Sequence, residues 1–230
     1  MAPLFFHGLP GGPEDRRLLD RKWRPDEMMI GDTLCPDAPG TTPRHLVGFS
    51  LGAFAALGMA ARHPDRVARL TLISPAGPLQ SGDFLPQMAG APVFRLARRS
   101  ATGLRVLTAL QGGITRIAPD RLLRQLFSTS HPAERAILDD AAARDVLRAG
   151  LRHCHIDRPR AYCDSIAAYV TDWRDDLGAV RCPVTIWQGD ADRWTPPDMA
   201  RSLANALCGP VDLRIVTGAG HYGMLRRALP

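Results

Sequence analysis

Lysine is almost missing from this 230-residue chain: of its 29 basic side chains only Lys22 is a lysine. The net charge of +6 therefore rests on arginine. Those arginines are spread along the chain with acids between them, and no basic block interleaved with aromatics occurs, so nucleic acid is not the expected partner. Cysteine is scarce and odd in number. Cys35, Cys154, Cys163, Cys182 and Cys208 form no C-x-x-C pair, which argues against a disulfide framework or a cysteine zinc site and for reduced thiols in the cytoplasm. Long apolar runs are lacking too. The stretch from Gly48 to Ala61 is too short to span a bilayer. The N-terminus has no basic-then-apolar leader, so no signal peptide is expected. Repeats and low-complexity segments are absent. What remains is a chain with 45% hydrophobic residues, enough for one full core carrying one insertion.

Periodicity divides the chain into three stretches. In the first, Ala2–Phe6 reads as a buried strand running into the glycine-rich loop His7–Gly12. His7 fits a structural hydrogen-bonding role there better than that of a base. Leu18, Leu19 and Trp23 predict an amphipathic helix within 13–23, Met28–Ile30 a short strand, and residues 35–43 a loop. Arg44–Val47 reads as a strand, Ala53–Ala61 as a helix stopped at His63-Pro64, and Val67–Ile73 as the next strand. From Leu79 to Trp173 helical spacing takes over. It predicts helices over Val93–Leu110, Arg121–Phe127, Ala133–Cys154 and Arg160–Trp173, with breaks at Gly112-Gly113, Pro119, Pro132 and Pro159. This is read as a helical cap, 79–173, inserted into a core of 1–78 and 174–230. Strand character returns at Pro183–Trp187. A helix from an N-cap Thr195 with Pro196 at its first position to Leu207 follows, then the strand Val211–Val216 and a short terminal helix.

Chemistry gathers at the strand ends. Gly48-Phe49-Ser50-Leu51-Gly52 lies between a strand and a helix, the setting in which a G-x-S-x-G turn lifts a serine hydroxyl above a sheet. Small residues on both sides let the strained turn pack, and the Leu51 N–H at the helix start can donate to an oxyanion. Asp192 follows the strand at Pro183–Trp187, and His221 follows the last one, each past the C-terminal end where open α/β sheets place their sites. Serine, aspartate and histidine in that order supply a nucleophile, an orienting carboxylate and a base. His153-Cys154-His155 invites a metal reading, but residues two apart on a helix do not share a face. No metal and no cofactor are expected.

With His7-Gly8-Leu9-Pro10-Gly11, Gly48-Phe49-Ser50-Leu51-Gly52, Gly189-Asp190-Ala191-Asp192 ahead of Pro196, and Gly220-His221, the sequence resembles the α/β-hydrolase superfamily, in particular small esterases with a helical cap. The resemblance implies Ser50 as nucleophile, Asp192 as acid, His221 as base, and the N–H groups of Leu9 and Leu51 as oxyanion donors. Asp190 is the rival acid; the family's spacing favours Asp192. It further implies a serine esterase or thioesterase acting through an acyl-enzyme. An acyltransferase or haloperoxidase-like use of the same site, and a non-enzymatic binder, are the alternatives. Two features depart from the family pattern. The oxyanion loop starts at residue 7, where members usually have two earlier strands, and the helix expected before the elbow strand is missing. A mostly parallel sheet of about six strands is expected, with a homodimer as one way of covering its exposed edge.

The cap also carries a charge pattern. Arg95, Arg98, Arg99, Arg105, Arg116, Arg121 and Arg124 face a single acid, Asp120, in that interval, interleaved with Val93, Phe94, Leu96, Leu104, Val106, Leu107 and Leu110. A solvated arginine face is one reading. The other is an apolar acyl pocket beneath a surface that attracts an acidic or carrier-bound substrate.

Overall fold

The structure, a computed structural model, describes residues 2–34, 36–37 and 40–230. Of the loop predicted at 35–43, Cys35, Ala38 and Pro39 lie outside the described residues. Six strands form one all-parallel sheet in the order β2-β1-β3-β4-β5-β6: β1 Leu4–Phe6, β2 Met29–Gly31, β3 Arg44–Phe49, β4 Val67–Ile73, β5 Val184–Gly189 and β6 Val211–Val216. The register sets Leu46 beside Leu70, Phe49 beside Ile73 and Leu72 beside Ile186. Side chains alternate across the sheet with a period of two, so each face builds its own core. Phe6, Leu46, Leu70, Leu72 and Ile186 pack on one side, with Ala53, Ala56, Leu57 and Ala60 of helix α1 (Leu51–Arg62). Phe5, Val47, Phe49, Ile73 and Trp187 pack on the other. Burial on both faces is why these strands read as near-continuous apolar runs.

Between β4 and β5 lie α2 (Ala91–Arg99), α3 (Ala101–Ile117), α4 (Pro119–Leu126), the single turn α5 (Pro132–Arg135), α6 (Ala141–Arg152) and α7 (Pro159–Tyr169). Helix α8 (Pro197–Ala206) connects β5 to β6. Local chemistry cuts the long predicted helices into shorter ones. Ser100 leaves helical backbone and caps α3 by accepting the Gly103 N–H at 2.9 Å. Asp140 does the same for α6, accepting from Ala142 and Ala143. Residues His153–Asp157 widen into a π-turn. The break expected at Gly112-Gly113 does not occur. α3 continues through both, and a Cβ at Gly112 would lie 2.7 Å from the His155 carbonyl, so that glycine serves close packing on the π-turn.

Two further expectations need correction. The predicted helix within 13–23 is a pair of tight 3₁₀ turns, Pro13–Leu18 and Arg21–Trp23, because Asp20 accepts the Lys22 N–H at 2.8 Å and starts a new turn. Its apolar residues still go inward: Leu18, Leu19 and Trp23 are buried, and the Trp23 indole donates to the Ala228 carbonyl at 2.8 Å. Thr195 is not the N-cap of α8. Pro196 holds that position, and Thr195 is drawn into the network around Asp192.

Candidate active site

Ser50 sits at the junction of β3 and α1 with φ 54° and ψ −123°, a left-handed conformation that a residue with a Cβ adopts at a cost. The neighbours hold it there. Its N–H donates to Ile73 O at 3.0 Å, and its carbonyl accepts from Ala53 and Ala76, both at 3.0 Å. The glycines on either side are obligatory: a Cβ at Gly48 would come within 2.6 Å of Ala53 Cα, and one at Gly52 within 2.5 Å of the His7 carbonyl. The side chain has no such anchor. Among the described residues Ser50 Oγ has no hydrogen-bond partner, and Ser50 lines a cavity.

Asp192 and His221 are locked together. His221 Nδ1 lies 2.8 Å from Asp192 Oδ2, with both side chains essentially excluded from solvent. That carboxylate is otherwise saturated. Oδ1 accepts from the N–H groups of Trp194 (2.8 Å) and Thr195 (3.0 Å), and Oδ2 also meets Gln188 Nε2 (3.2 Å) and Thr195 Oγ1 (3.0 Å). Burial alone would push the Asp192 carboxyl up. The His221 charge, its hydrogen bond and the two backbone donors outweigh it, and the group ends below its ordinary value. Asp190, two residues earlier, is exposed and accepts the Gly218 N–H at 2.7 Å. The His221 ring packs on Phe49, the residue before Ser50, at 4.8 Å between centroids. Its carbonyl accepts from Ser74 Oγ at 3.3 Å.

The loop His7–Gly12 abuts the elbow: a Cβ at Gly8 would lie 3.2 Å from Ser50 Cβ. Thr33 Oγ1 donates to the His7 carbonyl at 3.0 Å, and His7 Nδ1 contacts the Gly8 carbonyl at 2.8 Å. Burial lowers His7 to a pKa of about 4, which keeps it neutral. Leu9, Ser50 and Leu51 line one cavity of about 360 Å³ together with Val93, Phe94 and Leu107 from α2 and α3, and Tyr162 and Ile166 from α7. Among the described residues, no ionisable acid or base other than Tyr162 lines it. The volume falls within the ~300–1,000 Å³ usual for small-molecule sites. Of the other apolar residues singled out in the sequence, Leu104 is in the core, whereas Val106 and Leu110 point outward with 56% and 62% exposure. All seven arginines of that stretch are exposed, and Asp120 is engaged by Arg148 through bonds of 2.5 and 2.7 Å.

His153, Cys154 and His155 each turn to different partners. His153 packs edge-on against His7, Cys154 Sγ bonds the backbone of Gly11, and His155 meets Thr115 and Tyr162. Among the described residues no group of three metal-ligating side chains gathers, and no helix is long and apolar enough to cross a membrane. Two buried acids escaped the sequence reading. Asp15, beneath the loop at Gly11, is 1% exposed, and neither of its oxygens has a well-formed hydrogen bond. Burial raises it to a pKa of about 8, opposed only in part by the backbone of Gly12 and Gly8. Glu134, in α5, accepts the N–H groups of Tyr222 and Gly223. Neither carries a sequence signal, since each looks like an ordinary acid in the first turn of a polar helix.

A family model described as alpha/beta hydrolase fold matches residues 36–228. Two curated relatives are named pimeloyl-[acyl-carrier protein] methyl ester esterase. The one from Aromatoleum aromaticum is 33% identical over 183 residues, 76% of this chain and 65% of the relative. The one from Chromobacterium violaceum is 27% identical over 185 residues, 79% of this chain and 64% of the relative. The chain therefore spans just under two thirds of the length of these proteins. Among solved structures, a thermophilic esterase from Thermogutta terrifontis superposes with a TM-score of 0.63 at 17% identity, covering 99% of this chain and 85% of its own, which is a likeness of fold. With the elbow, the six-stranded parallel sheet and this match in agreement, the chain belongs to the alpha/beta hydrolase fold family.

Proposed function

We propose that this protein is a serine carboxylic ester hydrolase whose triad is Ser50, His221 and Asp192, with the N–H groups of Leu9 and Leu51 as oxyanion donors and residues 79–173 as a helical cap over the acyl pocket. The observation that carries this reading is the solvent-excluded Asp192–His221 pair at 2.8 Å, packed on Phe49, the residue before a serine held in a strained turn that opens on an apolar cavity. Asp192 holds the Nδ1–H tautomer of His221, which leaves Nε2 to take the Ser50 proton as Oγ attacks the ester carbonyl. The carbonyl electrons move to the oxygen, where the two amides stabilise the charge without reorganising. Collapse expels the alcohol, which takes its proton from His221 Nε2. Water then attacks the acyl-enzyme by the same route, releasing the acid and restoring Ser50.

The relatives' name suggests the substrate class: a methyl ester on an acyl chain held by a carrier protein. The cap fits such a molecule. Its inner surface offers Val93, Phe94, Leu107 and Ile166 to an acyl chain, and its outer surface offers exposed arginines to an acidic carrier. A cytoplasmic location follows from that reading. A fluorophosphonate probe on the folded protein tests the nucleophile, with labelling expected in the wild type and lost in Ser50→Ala. A panel of methyl, p-nitrophenyl and thioester substrates, free and carrier-bound, tests the class. Unlabelled, inactive wild type overturns the enzyme reading.

A further inference from the structure

The first N–H groups of a helical turn have no acceptor within the turn and need one from outside. In the turn Tyr222–Met224 the capping position is His221, and its side chain makes no capping bond because Nδ1 is committed to Asp192. The missing acceptor comes from a distant part of the chain. Glu134, 3% exposed on α5, accepts the Tyr222 N–H at 2.6 Å and the Gly223 N–H at 3.3 Å. The chain wraps so closely around this carboxyl group that a Cβ at Gly220 would lie 2.8 Å from Glu134 Cδ. The glycine before the histidine is thus required by an acid almost ninety residues away in sequence.

Neighbouring contacts make the same connection. Phe127, at the end of α4, stacks on Tyr222 at 5.5 Å, and Trp194 stacks on His221 at 5.8 Å while its indole donates to Ser130 Oγ at 3.2 Å. The Tyr222 hydroxyl reaches the Pro10 carbonyl at 3.4 Å, tying the loop after His221 to the loop that carries Leu9. Burial raises the Glu134 carboxyl, while the two backbone donors and His221 favour its ionised form.

We propose that Glu134 is a positioning residue: a capping carboxylate, supplied by the cap, that fixes the backbone of the loop bearing His221 and so sets the imidazole toward Ser50. The kinetic part of this inference rests on the ester hydrolase reading. Misplacing a catalytic group by about 1 Å can cost on the order of 100-fold in rate. Glu134→Ala should therefore lower kcat roughly 30- to 100-fold while KM stays within about threefold, because substrate contacts are untouched. Glu134→Gln keeps an amide oxygen for the Tyr222 N–H but has no second acceptor for Gly223, and should fall several-fold below wild type, well short of the alanine loss. Ser100→Ala removes the N-cap of α3, whose side-chain bond goes to Gly103 and not to the His221 loop; it should lose stability but keep kcat.

The inference is overturned if folded Glu134→Ala keeps kcat within about twofold, if the whole loss lies in KM, or if Ser100→Ala loses kcat as heavily. Should Glu134→Ala not fold, Glu134→Gln decides the matter: a several-fold drop in kcat at constant KM supports the role, and an unchanged kcat ends it. Should the wild type itself be neither labelled by fluorophosphonate nor active on esters, the hydrolase reading fails, and amide exchange then tests Glu134 without substrate. In Glu134→Ala exchange at Tyr222 and Gly223 should quicken at least about tenfold, and in Glu134→Gln exchange at Gly223, while β3 and β5 amides keep their protection. Unchanged exchange at those two amides overturns the proposal.

Discussion

At the strand ends, Ser50, Asp192 and His221 are 5%, 2% and 1% exposed; on α2 to α4, seven arginines are all exposed. The two regions use charge in opposite ways. Around Asp192 every acceptor site is filled by a fixed donor, so the field at His221 needs no rearrangement when charge develops. On α2 to α4 the guanidinium groups lie in solvent, where they act over distance and are screened by salt over ~10 Å at 0.1 M. Changes at the buried pair should therefore fall on kcat, and changes to the exposed arginines of α2 to α4 on association.

The largest effect belongs to the buried pair. His221→Ala and Asp192→Asn should each lower kcat by ~10³–10⁴-fold, whereas Asp190→Asn should stay within about threefold. Steady-state kinetics on one ester reads all three, and the reverse ranking of the aspartates would move the acid to Asp190. Next comes the buried acid Asp15. Its folded pKa of about 8 lies above the unfolded value of 3.8, so the folded state binds the extra proton between those values. Wild-type stability from this group is full below about pH 4 and is lost as pH rises toward 8. Asp15→Asn, which stays neutral, should gain on the wild type over that interval by a few kcal/mol at most. Urea melts at several pH values would show it, and a constant gap between the two proteins would disprove it.

A smaller effect separates two replacements of Ser50. Both Ser50→Ala and Ser50→Gly should be inactive, but glycine suits φ 54° and should leave the protein about 1 kcal/mol more stable than alanine does. Denaturant midpoints compare them, and equal midpoints would mean the elbow stores no strain. The smallest effect sharpens the contrast between regions. Raising salt from about 0.05 to 0.3 M should lower kcat/KM several-fold for a carrier-bound or acidic substrate, and Arg98→Glu/Arg99→Glu should lower it further. A neutral short-chain ester should show neither response. The same salt dependence for both substrates would leave the arginines as a solvated face.

Much of the core was legible in the sequence because its signals are local. A parallel strand buried on both faces must be apolar throughout, as Val67–Ile73 nearly is, and a strand-to-helix elbow must carry glycine where backbone meets backbone, as at Gly48 and Gly52. The helices between β4 and β5 were legible as helices, but their limits were not. Ser100 and Asp140 each had the option of continuing the helix or capping the next one, and packing decided. The tertiary structure also gave Thr195 a place around Asp192 in place of its expected cap, and it turned Val106 and Leu110 outward although their spacing suited a pocket.

By itself, then, the sequence determined the alternation of strands and helices, the strained serine turn, and the order of serine, aspartate and histidine after successive strands. These depend on residues within a few positions of one another, where sterics and periodicity act directly. Only the tertiary structure decided which aspartate meets His221, what lines the cavity beside Ser50, and that the first N–H groups after His221 are capped by Glu134. Each of these joins groups far apart along the chain. Their energies come from desolvation and hydrogen-bond geometry, which exist only once the sheet and the helices above it have closed on each other.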